Sequence, residues 1–268
     1  MFTPLFVVGS GRCGTTFLRE ILAAHSEIGI TNESHAADFL VFASQLAGVS
    51  DVERRDFHIE MPFSMRGIVG PDYAAPFADV FRSFVPRIFQ AFHERLFAGR
   101  TLRYVGDKMP DPAAVLAWKS AFPETRVVLM IRDPRDYVAS ARSYARRRDI
   151  AIAYPHLDVS VEAHAVHWRN VYEGASSVPP PVDTHRYEQL IKDPASVAAS
   201  VLSSLGLAIE VGCLSVCHGS AGFESHGTSR GVQESVGRWR TDLSSEDLDV
   251  VRKTCGSVAS RYGYDLSE

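Results

Sequence analysis

The apolar positions of this chain fall into two alternating patterns. Leu5 to Val8 is a short apolar run rich in β-branched and aromatic residues, Arg126 to Ile131 is the most apolar stretch, and Leu102 to Val105 and Val182 to Tyr187 also read as strands. Such runs predict buried strands, and Ile28 to Thr31 predicts a further short one. Between them, apolar residues recur at helical spacing. Phe17, Leu18, Ile21 and Leu22 mark one helix, and Ala113 to Phe122 is another. Pro134 to about Arg148, Val161 to Ala175 and Pro194 to Leu205 follow. Asp133 is placed to cap the Pro134 helix, with proline at its first position. The last helix opens at Ser244, whose pairing with Asp247 resembles a capping box, and it buries Leu248, Val251, Cys255, Val258 and Tyr262.

Two further helices are expected before Leu102. His35 to Ala47 carries Phe39, Leu40, Ala43 and Leu46 on one side. Phe77, Phe81, Phe84, Ile88, Phe92 and Leu96 form a stripe that reads as core, in a helix that Pro86 kinks or divides. Asp51 to Tyr73, Ala151 to Ser160 and Leu207 to Val232 have no clear period and read as loops. Strands alternating with helices predict an α/β fold with a mainly parallel sheet covered by helices on both faces. The expected organisation is a single domain over residues 1–268. Ligands of such sheets bind beyond the carboxyl ends of the strands.

Composition narrows the function. At 268 residues, 46% hydrophobic and 22% charged, the chain can bury a large core. A net charge of −4 gives no reason to expect a nucleic-acid partner. Cys13, Cys213, Cys217 and Cys255 are too few for a disulfide scaffold, and Cys213-x3-Cys217 lacks a second ligand pair for zinc. His164-x2-His167 lacks a third ligand and reads as packing or surface histidines. No metal is expected. The first nine residues form a core strand rather than a signal peptide, and no run is long enough to span a bilayer. A soluble cytoplasmic protein with no membrane partner is expected. Arg142, Arg146, Arg147 and Arg148 read as a solvated face or as a patch for an acidic acceptor.

The chemistry concentrates between Leu5 and Leu22. Strand, glycine-rich turn and helix place an anion on a helix N-terminus. Gly9-x4-Gly14 has the spacing of a P-loop, but Thr15-Thr16 stands where a nucleotide triphosphatase carries Lys-Ser/Thr. The positive charge comes earlier, at Arg12. Amides and threonine hydroxyls can cradle a single phosphate. An ordinary strand-to-helix turn is the plain alternative. A second anchor follows the Arg126 to Ile131 strand. There Arg132, with Ser140 two turns into the next helix, can hold a phosphate dianion. The alternative is Arg132 paired with Asp136 or another local carboxylate, with Ser140 an ordinary helix residue. Lys108 follows another strand, either over a reacting group or as a surface lysine.

Arg12, Gly14, Thr15, Thr16 and Phe17 resemble the 5′-phosphosulfate loop of sulfotransferases that use 3′-phosphoadenosine-5′-phosphosulfate (PAPS). Cys13 departs from the usual serine, which costs a hydroxyl contact and leaves the amide. Arg132-x7-Ser140 resembles the 3′-phosphate motif, in the version of tyrosylprotein, carbohydrate and bacterial enzymes. Asp107-Lys108-x-Pro110, Tyr187-Glu188-x-Leu190 with Asp193-Pro194, and Gly237-Arg238-Trp239-Arg240 add similarities in family order. The resemblance implies cofactor contacts at Arg12, Cys13, Gly14, Thr15, Thr16, Phe17, Arg132, Ser140, Tyr187, Arg230 and Trp239. Phe17 is read equally as core, and Arg230 and Trp239 belong to a late segment that closes over the nucleotide. It also implies Glu33 as catalytic base, with His35 as local rival, and Arg12 and Lys108 as charge stabilisers. The expected reaction moves a sulfuryl group from PAPS to a hydroxyl or amine of a small-molecule, carbohydrate or peptide acceptor. A nucleotide kinase and a non-catalytic nucleotide-binding module are the competing readings.

Overall fold

The computed structural model describes residues 2–34, 84, 87–109, 112–147, 150, 152, 160–219 and 233–267. The readings made for His35 to Ala47, Asp51 to Tyr73, Phe77, Phe81, Pro86, Pro110, Arg148, 153–159 and Arg230 lie outside these residues.

Five strands form one sheet: β1 Thr3–Val8, β2 Ile28–Asn32, β3 Tyr104–Met109, β4 Arg126–Ile131 and β5 Val182–Arg186. Their order across the sheet is β2-β3-β1-β4-β5, and every pair is parallel. The α-helices are α1 Thr15–Ala23, α2 over 87–96, α3 Pro112–Ala121, α4 Pro134–Ala145, α5 Val161–Ala175, α6 Tyr187–Lys192, α7 Pro194–Ser204, α8 Val211–Cys217, α9 Trp239–Asp242 and α10 Ser245–Arg261.

Side chains of a strand alternate between faces, so two cores form. Phe6, Val8, Leu129 and Ile131 pack on one face with Trp118 of α3, Trp168 of α5 and Val258 of α10. Leu5, Val7, Val128 and Met130 pack on the other with Leu18 and Leu22 of α1, Val201 of α7 and Cys213 of α8. β1 and β4 are buried on both faces, which is why they read as continuous apolar runs, whereas edge strand β5 is partly exposed and more polar. Asp133 caps α4 through the amide of Arg135, with Pro134 in the first turn. Ser244 and Asp247 complete the capping box of α10. All four cysteines are free and buried. Among the described residues no helix is long and apolar enough to cross a membrane.

Three expectations need correction. The strand predicted at Leu102 to Val105 runs from Tyr104 to Met109, so Asp107 and Lys108 lie within it. Polar side chains hid the extension, and both find partners across β2. The segment read as a loop from Leu207 contains α8, whose buried Cys213 and Cys217 are one turn apart. The aromatic stripe is the reverse of the one predicted. Phe84, Ile88, Phe92 and Leu96 are exposed, whereas Phe89 and His93 are buried. Phe89 packs on Phe2, Phe6 and Trp118, and His93 stacks on Phe97. The helix carries two aromatic stripes, and period alone does not say which one meets the sheet.

Candidate active site

The central strand β1 delivers the glycine loop to the carboxyl edge of the sheet, between the ends of β3 and β4. Gly14 starts α1 with φ 86°, and a Cβ there would lie 2.8 Å from the Tyr187 ring. Only glycine meets both demands without strain. Gly11 is different, because a Cβ on it would meet no neighbour within 4 Å. No side chain caps the N-terminus of α1 and its first turn carries no acid. The helix therefore offers its positive end to the edge of the sheet.

Arg12 adopts φ 67°. Its Nε donates to Ser140 Oγ at 3.4 Å, and its guanidinium lies 4.7 Å from the centre of the Tyr144 ring. Ser140 and Tyr144 are one turn apart on α4, so they share a face. Burial, and next the charge of Arg132, push the Arg12 guanidinium down to about 10. Arg132 is 2% exposed. Its Nη1 donates to the Arg12 carbonyl at 2.8 Å, its Nη2 donates to the Ser235 carbonyl, and its plane lies 4.2 Å from the Tyr187 ring. Its buried Nε has no hydrogen-bond partner. Two guanidiniums enclosed this closely repel each other, and an anion would relieve them.

The structure brings Arg12, Gly14, Thr15, Arg132, Ser140 and Tyr187 together around the loop. Thr16 and Phe17 continue into α1, with Phe17 partly buried against the second core. Cys13 turns its thiol inward toward the Ser10 carbonyl, and burial raises its proton affinity. Tyr187 donates to or accepts from Ser235 Oγ at 2.7 Å. Trp239 is buried in the first core between the guanidiniums of Arg135 and Arg240, 4.2 and 4.3 Å from its ring centre. Asp136 does not pair with Arg132. Its oxygens accept from the amides of Gly237 and Trp239 at 2.7 and 3.1 Å. Arg135 instead pairs with Asp133 at 2.8 Å. Tyr137 packs against His164 and His167. Among the described residues no group of histidine, cysteine and carboxylate could hold a metal.

A second cluster lies at the ends of β2 and β3. Lys108 Nζ and Glu33 Oε1 form an ion pair. The Lys108 side chain is 8% exposed and that of Glu33 45%, so Glu33 is the member open to an incoming molecule. Glu33 has φ 52°. Among the described residues, Arg12 and Glu33 are the non-glycine residues with positive φ. Backbone strain of this kind collects at functional positions. Sequence reasoning missed Tyr144, Ser235 and the supporting role of Asp107. The spacing of Tyr144 one turn beyond Ser140 was the available signal.

A model of the sulfotransferase family matches residues 4–210. Among solved structures, the sulfotransferase domain from the curacin biosynthetic pathway is 18% identical, with 99% of each chain covered and a TM-score of 0.61. The sulfotransferase domain from the Synechococcus PCC 7002 olefin synthase is 19% identical over 98% of this chain and 96% of that one, with a TM-score of 0.62. Sulfotransferase STF9 from Mycobacterium avium is 12% identical over 98% of this chain and 78% of that one, with a TM-score of 0.53. No curated protein matches the sequence. At these identities the structures speak for the shared fold, and the family match over most of the chain speaks for sulfuryl transfer. This chain, with its parallel sheet and arginine-bearing loop at the head of α1, belongs to the sulfotransferase family.

Proposed function

We propose that the protein transfers a sulfuryl group from PAPS to an acceptor hydroxyl or amine, in line and without metal. The observation that carries this reading is the convergence of Arg12 and Arg132 beside the uncapped start of α1. Two buried guanidiniums this close together are suited to receive an anion. The loop amides and the hydroxyls of Thr15 and Thr16 suit one phosphate. Arg132 and Ser140 suit a second, with Tyr187 against the Arg132 guanidinium. Gly11 leaves the outer face of the loop open.

At the opposite side, Glu33 accepts the proton as the acceptor oxygen bonds to sulfur. The bond from sulfur to the bridging oxygen breaks, and that oxygen leaves as phosphate on adenosine 3′,5′-bisphosphate. Lys108 and Arg12 balance the charge that gathers on it. Positioning and electrostatics supply the rate, as in phosphoryl transfer. The acceptor is a small molecule, carbohydrate or peptide.

A screen of alcohols, phenols, amines, sugars and tyrosyl peptides with ³⁵S-labelled PAPS tests the reading, alongside the mass of any nucleotide that copurifies. Label transfer and an adenosine bisphosphate mass are expected. Binding of ATP with strict Mg²⁺-dependent phosphoryl transfer would replace it with a kinase. Tight PAPS binding without transfer to any acceptor or to water would leave a binding module.

A further inference from the structure

Asp107 has no exposed surface. It stands on β3 opposite Thr31 of β2 and Phe6 of β1. A carboxylate so enclosed must be hydrogen-bonded. Its Oδ1 accepts from Thr31 Oγ1 at 2.8 Å. Its Oδ2 accepts from the amide and the hydroxyl of Ser34, each at 2.9 Å. The donors therefore come from both sides of Glu33, two residues before it and one after. The amide of Glu33 itself donates to the Lys108 carbonyl at 2.9 Å.

This arrangement accounts for the backbone of Glu33. A glutamate held at φ 52° returns to an ordinary conformation unless its neighbours prevent it. Adjacent residues of β3 grip adjacent parts of the turn: Asp107 holds Thr31 and Ser34, and Lys108 holds the Glu33 carboxylate. An asparagine weakens this grip: its one carbonyl oxygen can still meet the Ser34 donors, but its amide nitrogen then faces Thr31 Oγ1, whose hydroxyl turns to the Gly106 carbonyl at 3.0 Å, and the charge assistance of the carboxylate is lost.

We propose that Asp107 is a positioning residue for sulfuryl transfer, its buried carboxylate fixing the left-handed turn that aims Glu33 at the acceptor. The inference rests on reading Glu33 as the base. Asp107 touches no reactant, because it has no surface to touch one with. Its effect passes through Thr31 and Ser34.

The test is a double-mutant cycle with Asp107→Asn and Glu33→Gln. Turnover is measured with the alcohol that reacts best in the acceptor screen, and affinity for adenosine 3′,5′-bisphosphate by calorimetry. Asp107→Asn should lower kcat by roughly 10–100-fold, the scale of a misplaced catalytic group, with unchanged nucleotide affinity. In the Glu33→Gln background it should cause no further loss. Equal losses in both backgrounds would overturn the positioning role while leaving Glu33 as base. Full turnover in Glu33→Gln alone would remove the base and this proposal together. Should Asp107→Asn fail to fold by circular dichroism, Thr31→Val deletes a single hydroxyl. It should give a smaller loss of kcat that also vanishes in the Glu33→Gln background, and an unchanged kcat would overturn the proposal.

Discussion

The Nε of Arg12 donates to the Oγ of Ser140 at 3.4 Å, joining the loop after β1 to the second turn of α4. The contact makes one cluster of two motifs that the sequence separates widely. Arg132 joins it through the Arg12 carbonyl. On the proposed reading, the loop holds one phosphate of PAPS, and Arg132 with Ser140 holds the other.

Nucleotide choice should follow. PAPS is expected to bind at least about a hundredfold more tightly than adenosine 5′-phosphosulfate, from two charge-assisted hydrogen bonds worth about 1.5–3 kcal/mol each. Ser140→Ala should narrow the gap by weakening PAPS alone. Calorimetry with both nucleotides checks this, and equal affinities would remove Arg132 and Ser140 from the 3′-phosphate.

Arg12→Ala separates binding from chemistry. If Arg12 balances charge that appears as the bridging oxygen departs, kcat should fall more than affinity for adenosine 3′,5′-bisphosphate. A loss confined to affinity would make the arginine an anchor. Single-turnover kinetics with labelled PAPS gives the split.

In the proposed mechanism Arg12 and Lys108 balance the charge, so no step calls for a divalent ion. Transfer should continue in excess EDTA at an undiminished rate. A rate restored only by added Mg²⁺ would contradict the proposed mechanism.

Asp136 gives a pH dependence with a definite sign. Burial pushes its carboxyl above the ordinary aspartate value of 3.8, against the pull of Arg132 and of the Gly237 and Trp239 amides. A folded value above the unfolded one means that the native state holds the proton more tightly. The stabilisation is complete below the unfolded value and is lost as pH rises through the folded one. Asp136→Asn has no such titration. Urea unfolding from about pH 4 to about pH 7 should show wild type losing stability relative to the variant as pH rises. A gap moving the other way would mean that the two amides and Arg132 outweigh burial.

Much of this was legible in the sequence because local rules and tertiary demands agree there. The run from Leu5 to Leu22 needs a strand, a left-handed glycine at Gly14 and a helix, and each residue except Arg12, held at φ 67°, favours its own state. Asp133-Pro134 and Ser244 to Asp247 announce helix starts by their own side chains. The fold class and the family followed from these. What stayed hidden depends on partners distant in sequence. Nothing near Asp107 reveals that Thr31 and Ser34 wait across β2. Nothing near Phe84 or Phe89 says which of two aromatic stripes meets Trp118. Asp136 beside Arg132 suggests an ion pair, yet its oxygens go to Gly237 and Trp239. Short α8 follows a stretch with no side-chain cap, so only the i, i+4 cysteines marked it.

The place of β1 at the centre of the sheet has a kinetic consequence. Thr3 pairs with Tyr104 and Leu5 with Arg126, so the strand that carries the glycine loop finds both its neighbours late in the sequence. Contacts of such long separation close slowly, after the entropy of large loops has been spent. During synthesis the Gly9 to Gly14 loop must wait, unfolded, until β3 and β4 have emerged. Nucleotide affinity should therefore appear late in refolding, after most of the helical signal, and a chain stalled before β4 should bind none.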